Sequence, residues 1–279
     1  MSGRTISLKL SERTITTQNP AFVMSIVNAD KDSFFAKSRG GFSLAKRHIA
    51  EGADIIDIGG ESTRPGSRYI DAKEEIKRVI PVIKKIRRFS DIPISVDTRK
   101  YDVMSAAFDA GADILNDVSA MEDDPRLIKF AADKKIPVIL MHKKGIPSTM
   151  QSQASYEDVF KEVSEYLESR AEIALQNGIS SDKIIVDPGV GFGKDTAQNA
   201  VLIRRAGELC HKKFMVLMAL SRKSFFGDVC GRKVKDRLWG TVAADVYSML
   251  NGVSMVRVHD TAAAVDSVKV IREILNAGS

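Results

Sequence analysis

Eight short, nearly uninterrupted apolar runs recur along the chain, at residues 22–28, 54–58, 92–96, 113–116, 137–141, 183–186, 214–220 and 254–258. A strand with one wet face alternates apolar and polar side chains, whereas a strand covered on both faces reads as a continuous run. The runs therefore predict a parallel sheet clothed in helices. The intervals between them carry the helices: over 74–89, Ile76, Val79, Ile80, Ile83 and Ile86 recur at steps of three and four with Lys and Arg opposite, and 156–176 and 262–275 keep the same period. Strand then helix, eight times over, predicts a single (β/α)8 barrel. An open doubly wound sheet is the alternative, because periodicity does not show whether eight strands close.

No linker or low-complexity segment interrupts this order, so residues 21–279 read as one barrel domain and 1–20 as an N-terminal extension. Within the extension, 6–8 and 14–16 flank a polar turn, which predicts a small hairpin over the bottom of the barrel. The 44% hydrophobic content excludes disordered and fibrous classes. Lys and Arg number 42 against 36 Asp and Glu, a net charge of +6 that suits a phosphate-bearing substrate and equally suits a solvated surface with extra lysines. No motif or interleaving of aromatics supports nucleic-acid binding. Cys210 and Cys230 make neither a disulfide framework nor a zinc cluster. The longest apolar run falls far short of the ~20 residues that span a bilayer, and the first 20 residues lack an apolar signal core. The expectation is a cytoplasmic protein without a membrane partner.

In a closed barrel the chemistry gathers at the C-terminal ends of the strands. Here those ends read Asn28, Asp57, Asp97 with Thr98, Asn116 with Asp117, His142, Asp187, Ser221 with Arg222 and Lys223, and Arg257 with His259 and Asp260. Packing alone would seldom leave every strand end polar, although a share of these carboxylates is expected to cap helices or bridge strands. The loop 59–66, Gly-Gly-Glu-Ser-Thr-Arg-Pro-Gly, combines backbone freedom with the hydroxyls of Ser62 and Thr63 and the guanidinium of Arg64, a set that suits an anion. Strand alternation sends Arg257 and His259 to the same side, and with Arg64 they would form one anion clamp. Segment 187–194, Asp-Pro-Gly-Val-Gly-Phe-Gly-Lys, fails as a nucleotide loop: Gly189 stands one residue too close to Gly193-Lys194, and Asp195 follows where Ser or Thr is needed. His48, His142 and His211 read as structural. No Ser or Cys is paired with a His in a recognisable motif, so no covalent enzyme intermediate is expected.

Six segments, 61–66, 95–98, 116–117, 187–194, 221–224 and 257–260, lie in an order that resembles the dihydropteroate synthase family, and the likeness extends from about residue 22 to 275. The resemblance implies a TIM barrel, a homodimer, and a transferase of folate biosynthesis that is a target of sulfonamides. Such an enzyme condenses 6-hydroxymethyl-7,8-dihydropterin diphosphate with p-aminobenzoate and releases diphosphate, with Mg²⁺ as cofactor. Carried over residue by residue, it assigns the pterin to Asp97, Asn116, Met141, Asp187, Phe192, Lys223 and Arg257. The diphosphate falls to Asn28, Arg64, Arg257 and His259, with Asn28 as metal ligand, and p-aminobenzoate to Phe34, Thr63, Pro65 and Ser221. Asp97, Lys223 and Asp32 are the catalytic candidates. The chain departs from the family in its first loop, where Ala29-Asp30-Lys31 replaces the usual apolar-Thr-Pro, and at Ala219 and Lys143-Lys144. A pterin-dependent methyltransferase would share Asp97, Asn116 and Asp187, but a corrinoid signature is absent, since Leu140 stands where its Asp belongs. The altered first loop motivates a third reading, a non-catalytic pterin-binding paralogue.

Overall fold

The computed structural model describes residues 5–29, 40–62, 70–145 and 155–278; of the site candidates, Asp32, Phe34, Thr63, Arg64 and Pro65 lie outside them. A two-stranded antiparallel hairpin, β1 (Ile6–Lys9) with β2 (Thr14–Thr17), precedes eight parallel strands. These are β3 (Phe22–Asn28), β4 (Ile55–Gly59), β5 (Ile94–Asp97), β6 (Ile114–Asp117), β7 (Val138–Met141), β8 (Ile184–Asp187), β9 (Met215–Met218) and β10 (Met255–Val258). They hydrogen-bond in sequence order and β10 returns to β3, so the sheet is a closed barrel and the open alternative is excluded.

Helices α1 (Gly41–Ala50), α2 (Ala72–Arg87), α3 (Tyr101–Asp109), α4 (Arg126–Lys134), α5 (Val159–Gln176), α6 (Thr196–Arg205), α7 (Ser224–Cys230), α8 (Leu238–Leu250) and α9 (Thr261–Asn276) surround the barrel. Local chemistry sets where several of them start. Asp71 accepts from Glu74 N at 2.7 Å and starts α2 two residues before the expected 74. Asp158 accepts from the first turn of α5. Asp195, the residue that spoils the nucleotide-loop motif, forms a capping box with Gln198 at the head of α6. One strand is shorter than its apolar run. β9 ends at Met218, because the Lys223 N–H folds back onto the Leu220 carbonyl in a turn that faces Ser221 and Lys223 toward the barrel mouth.

Alternation along each strand divides the interior into two levels. Ile56, Ile58, Val96, Leu115, Val138, Leu140 and Val186 point outward and form the main core with the helices. Their neighbours point inward, and at the base of the barrel Phe22, Met24, Ile55, Ile114, Ile139, Ile185, Leu217 and Met255 pack on Ile6, Leu8 and Leu10 of the hairpin segment. Leu8 is fully buried. The hairpin thus plugs the bottom, as its sequence predicts. Two residues further along the inward face the chemistry changes from Ile55 to Asp57, Ile114 to Asn116, Ile185 to Asp187 and Met255 to Arg257. Apolar filling closes the lower half of the barrel, and polar side chains line the upper half.

Candidate active site

Register places the polar level. Asn28 pairs with Gly59, Gly59 with Asp97, and Asp97 with Asn116, so these side chains leave the sheet at one height; across the barrel, Met141 pairs with Asp187. Above them opens a cavity of about 260 Å³, lined by every candidate among the described residues: Asn28, Asp97, Asn116, Met141, Asp187, Phe192, Ser221, Lys223, Arg257 and His259. That volume is near the lower end of ligand clefts, about 300 Å³, and suits one small heterocycle.

At the floor, Arg257 is fixed between two carboxylates. Its Nε donates to Asp57 at 2.6 Å and its Nη2 to Asp97 at 2.7 Å. Burial opposes its charge, but Asp57 and Asp97 more than offset this and hold its pKa above the ordinary arginine value. Asn116 donates its amide to Asp57 at 3.3 Å, which turns its carbonyl oxygen away as an acceptor. Burial raises Asp97 to about 7 against the opposing effect of Arg257, with Asp57 adding to the rise. Its Oδ1 is buried and has no hydrogen-bond partner among the described residues. Such an oxygen is costly unless something cationic or protic meets it.

The opposite wall is the turn after β8. Asp187 accepts from Gly189 N at 2.7 Å, a bond that leaves most of its carboxylate capacity open. Burial raises its pKa, and Lys223 opposes that rise. Lys223 donates to the Val190 carbonyl and lies 4.9 Å from the centre of the Phe192 ring. Burial lowers its ammonium to about 8 despite Asp187. Gly189 has φ +65°, and a methyl group there would overlap the His142 carbonyl, so only glycine lets this turn lie against the end of β7.

Ser221 Oγ accepts from His259 N at 3.1 Å and stands 2.9 Å from His259 Nδ1, so two neighbouring strand ends hold the imidazole by one nitrogen. Between them, Arg222 turns away from the cavity at φ +56°. Its guanidinium grips Asp260 through two bonds of 2.7 and 2.9 Å and the carbonyls of Val234 and Lys235 at 2.8 Å. Asp117 bonds Ser119 and the Met121 N–H in the same structural manner. Asp117 and Asp260 therefore belong to the share of strand-end carboxylates that serve the fold.

Some contributors carried no assigned role in the sequence. Asp57 was visible only as a strand end, and its partner Arg257 is 200 residues away. Glu61 receives Lys100 at 2.7 Å, Arg99 at 3.2 Å and Ile70 N at 2.8 Å, so it joins both ends of the segment that carries Thr63, Arg64 and Pro65. The glutamate is legible in the 59–66 motif; its contacts are not.

For Mg²⁺ the donor set is sparse. Among the described residues no group of three or more His, Cys, Asp or Glu side chains could hold a metal. The amide oxygen of Asn28 at the cavity mouth suits a hard ion that keeps most of its water and takes its remaining ligands from substrate phosphates. Among the described residues, Asn28 thus suits an ion carried on substrate phosphates.

The pattern that describes pterin binding enzymes matches residues 24–259. A dihydropteroate synthase of Synechocystis sp. is 40% identical over 255 residues, 89% of this chain and 88% of that one. One from Escherichia coli is 40% identical over 263 residues, covering 91% and 92%. Among solved structures, the Yersinia pestis dihydropteroate synthase with a sulfonamide drug superposes with a TM-score of 0.91 at 33% identity, over 98% of this chain and all of that one. The Xanthomonas albilineans enzyme with 4-aminobenzoic acid gives 0.88 at 38% identity, over 98% and 99%. The same enzyme with 7,8-dihydropteroate gives 0.84 at 37%, over 96% and 98%. With its closed barrel and its polar cavity at the strand ends, this chain belongs to the pterin-binding enzyme family, in the dihydropteroate synthase group.

Proposed function

We propose that the cavity joins dihydropterin hydroxymethyl diphosphate to p-aminobenzoate, forming dihydropteroate and diphosphate. The observation that carries the reading is the convergence of Asp187, Asn116, Lys223, Arg257 and the unpaired Asp97 oxygen on one small cavity. A pterin presents adjacent N–H donors on one edge and a carbonyl beside them. Asp187 accepts the donors, the Asn116 carbonyl takes a further ring N–H, and the remaining protons of Lys223 meet the ring carbonyl. The face of Arg257, held flat by Asp57 and Asp97, stacks on the ring, with Met141 and Phe192 as apolar walls.

The bond from the exocyclic methylene to oxygen breaks, and its electron pair leaves with diphosphate. Positive charge spreads into the electron-rich ring, where the ionised Asp97 stabilises it. The neutral aryl amine then attacks the methylene, and the proton it loses passes to solvent water. His259, Arg64 and Arg257 hold the departing diphosphate, and Asn28 would hold Mg²⁺, which supplies charge neutralisation to the phosphates when bound. Ser221, Thr63, Pro65 and Phe34 are the residues assigned to p-aminobenzoate, and Asp32 of the first loop is assigned to catalysis. The anion-binding set favours this reading over the methyltransferase.

The same reading gives a homodimer. Trp239, at 79% exposed, and Val229, Tyr247, Leu250, Val270 and Ile274 expose apolar surface on α7, α8 and α9, and a second copy would cover it. No helix among the described residues is long and apolar enough to cross a membrane, and both cysteines are free, which supports a cytoplasmic site.

Dihydropteroate formation from the two substrates, with and without Mg²⁺, tests the proposal. Product that depends on both substrates is expected. Saturable pterin binding without product would establish the non-catalytic paralogue instead.

A further inference from the structure

The lysine of the failed nucleotide-loop motif has turned inward. Lys194 is 2% exposed, and among the described residues its ammonium contacts no carboxylate. It donates to the carbonyls of Gly189 and Phe192, both at 3.0 Å, reaches that of His142 at 3.4 Å, and stands 3.0 Å from His142 Nδ1. When Lys194 is protonated its ammonium has only donors, so Nδ1 is then the acceptor and the imidazole proton sits on Nε2. Burial, reinforced by the Lys194 charge, lowers His142 to about 3, which keeps that acceptor available. Burial lowers Lys194 itself to about 7, with Asp187 opposing and Lys223 and Lys144 adding to the fall.

A buried ammonium costs several kcal/mol in desolvation unless its protons are met, so a position needing only a plug would favour Met or Leu. Here the cation ties together two walls of the cavity. Gly189 and Phe192 belong to the turn that holds Asp187 in place, and His142 follows Met141 at the end of β7. That turn holds Gly189, Gly191 and Gly193, all at positive φ. A chain so rich in glycine has many competing conformations and needs an anchor to keep one.

We propose that Lys194 is a positioning residue for the pterin half of the site: its ammonium, bonded to the turn's own carbonyls, sets Asp187 and Phe192, and His142 serves as its acceptor. The proposal rests on the reading of the cavity as a dihydropterin diphosphate site. In Lys194→Met the donors are lost at nearly constant length, and the KM for the pterin substrate is expected to rise about tenfold or more. Both kcat and the KM for p-aminobenzoate should stay within about threefold. The acceptor supplies the matched pair. His142→Asn places an amide oxygen near the position of Nδ1 and keeps the pterin KM close to wild type, whereas His142→Leu follows Lys194→Met.

An unchanged pterin KM in Lys194→Met would overturn the proposal, as would equal losses for both substrates or identical behaviour of the two His142 variants. Where Lys194→Met does not fold, as read by circular dichroism, the His142 pair decides. Wild-type turnover is the control: if the wild type forms no dihydropteroate, the functional reading fails and the positioning role falls with it. If it does and the variants match it, only the positioning role is lost.

Discussion

Asp97 carries the most demanding task of any single side chain in the site. In the proposed reaction its carboxyl must be ionised when positive charge develops on the pterin, yet burial raises it to about 7. The raised value puts the protonated, inactive form in the majority below neutrality in the free protein, so kcat/KM for the pterin substrate should climb as pH rises through about 7. Asp97→Asn should lower kcat by about 10² or more and flatten that acidic limb, which a pH–rate profile of both proteins reads directly. A limb of unchanged midpoint in the variant would assign the titration to another group. Asp187 is different in kind, since in the proposed reaction its bonds to the pterin form before the chemistry starts. Removing it should weaken binding and raise KM, with the bound complex still turning over. Much of this was legible residue by residue, because a polar side chain at the inward end of an apolar strand has few other reasons to be there. What pattern could not supply was pairing: Arg257 is bound to Asp57 and Asp97 across 200 and 160 residues, and no local periodicity encodes such contacts.

At the level of elements, the strands and major helices follow the sequence closely because burial on both faces and a 3.6-residue period leave direct traces in it. Boundaries shift where a single local hydrogen bond intervenes, from the Asp71 side chain for α2 and from the backbone turn at Leu220 for β9. The hairpin segment is tied to the barrel by Leu8, so Leu8→Ala should destabilise by about 2–5 kcal/mol in urea unfolding while leaving KM unchanged. Asp245 on α8 is a counter-example to helix design. It is buried, its Oδ1 has no partner among the described residues, and burial pushes its pKa well above the usual carboxylate range. The folded state therefore binds a proton that the unfolded state releases above about pH 4, so this residue makes stability fall as pH rises. Asp245→Asn should be more stable than wild type at pH 8, with the difference shrinking toward pH 4; equal melting curves at pH 8 would contradict this.

The whole molecule divides its labour along the barrel axis: apolar filling and a hairpin plug form the base, and the polar level above lines the cavity proposed to hold the substrates. This division also explains why one short chain can place so many ionisable groups together, since the burial that perturbs Asp97, Asp187 and Lys223 comes from a core built by other residues. The exposed apolar face of α7, α8 and α9 belongs to the same scale. Light scattering should give twice the monomer mass, and Trp239→Glu should shift it toward the monomer; a monomeric wild type would remove the dimer from the account. The central claim is that Asp187 and its neighbours hold a pterin in the cavity above the plug. Calorimetric titration of dihydropterin diphosphate, with Mg²⁺ present, into the wild type and into Asp187→Ala tests it most directly. The account predicts one saturable site per chain, weakened by about 10² or more in the variant through loss of its charged hydrogen bonds. No binding to the wild type, or equal affinity for the two proteins, would contradict it.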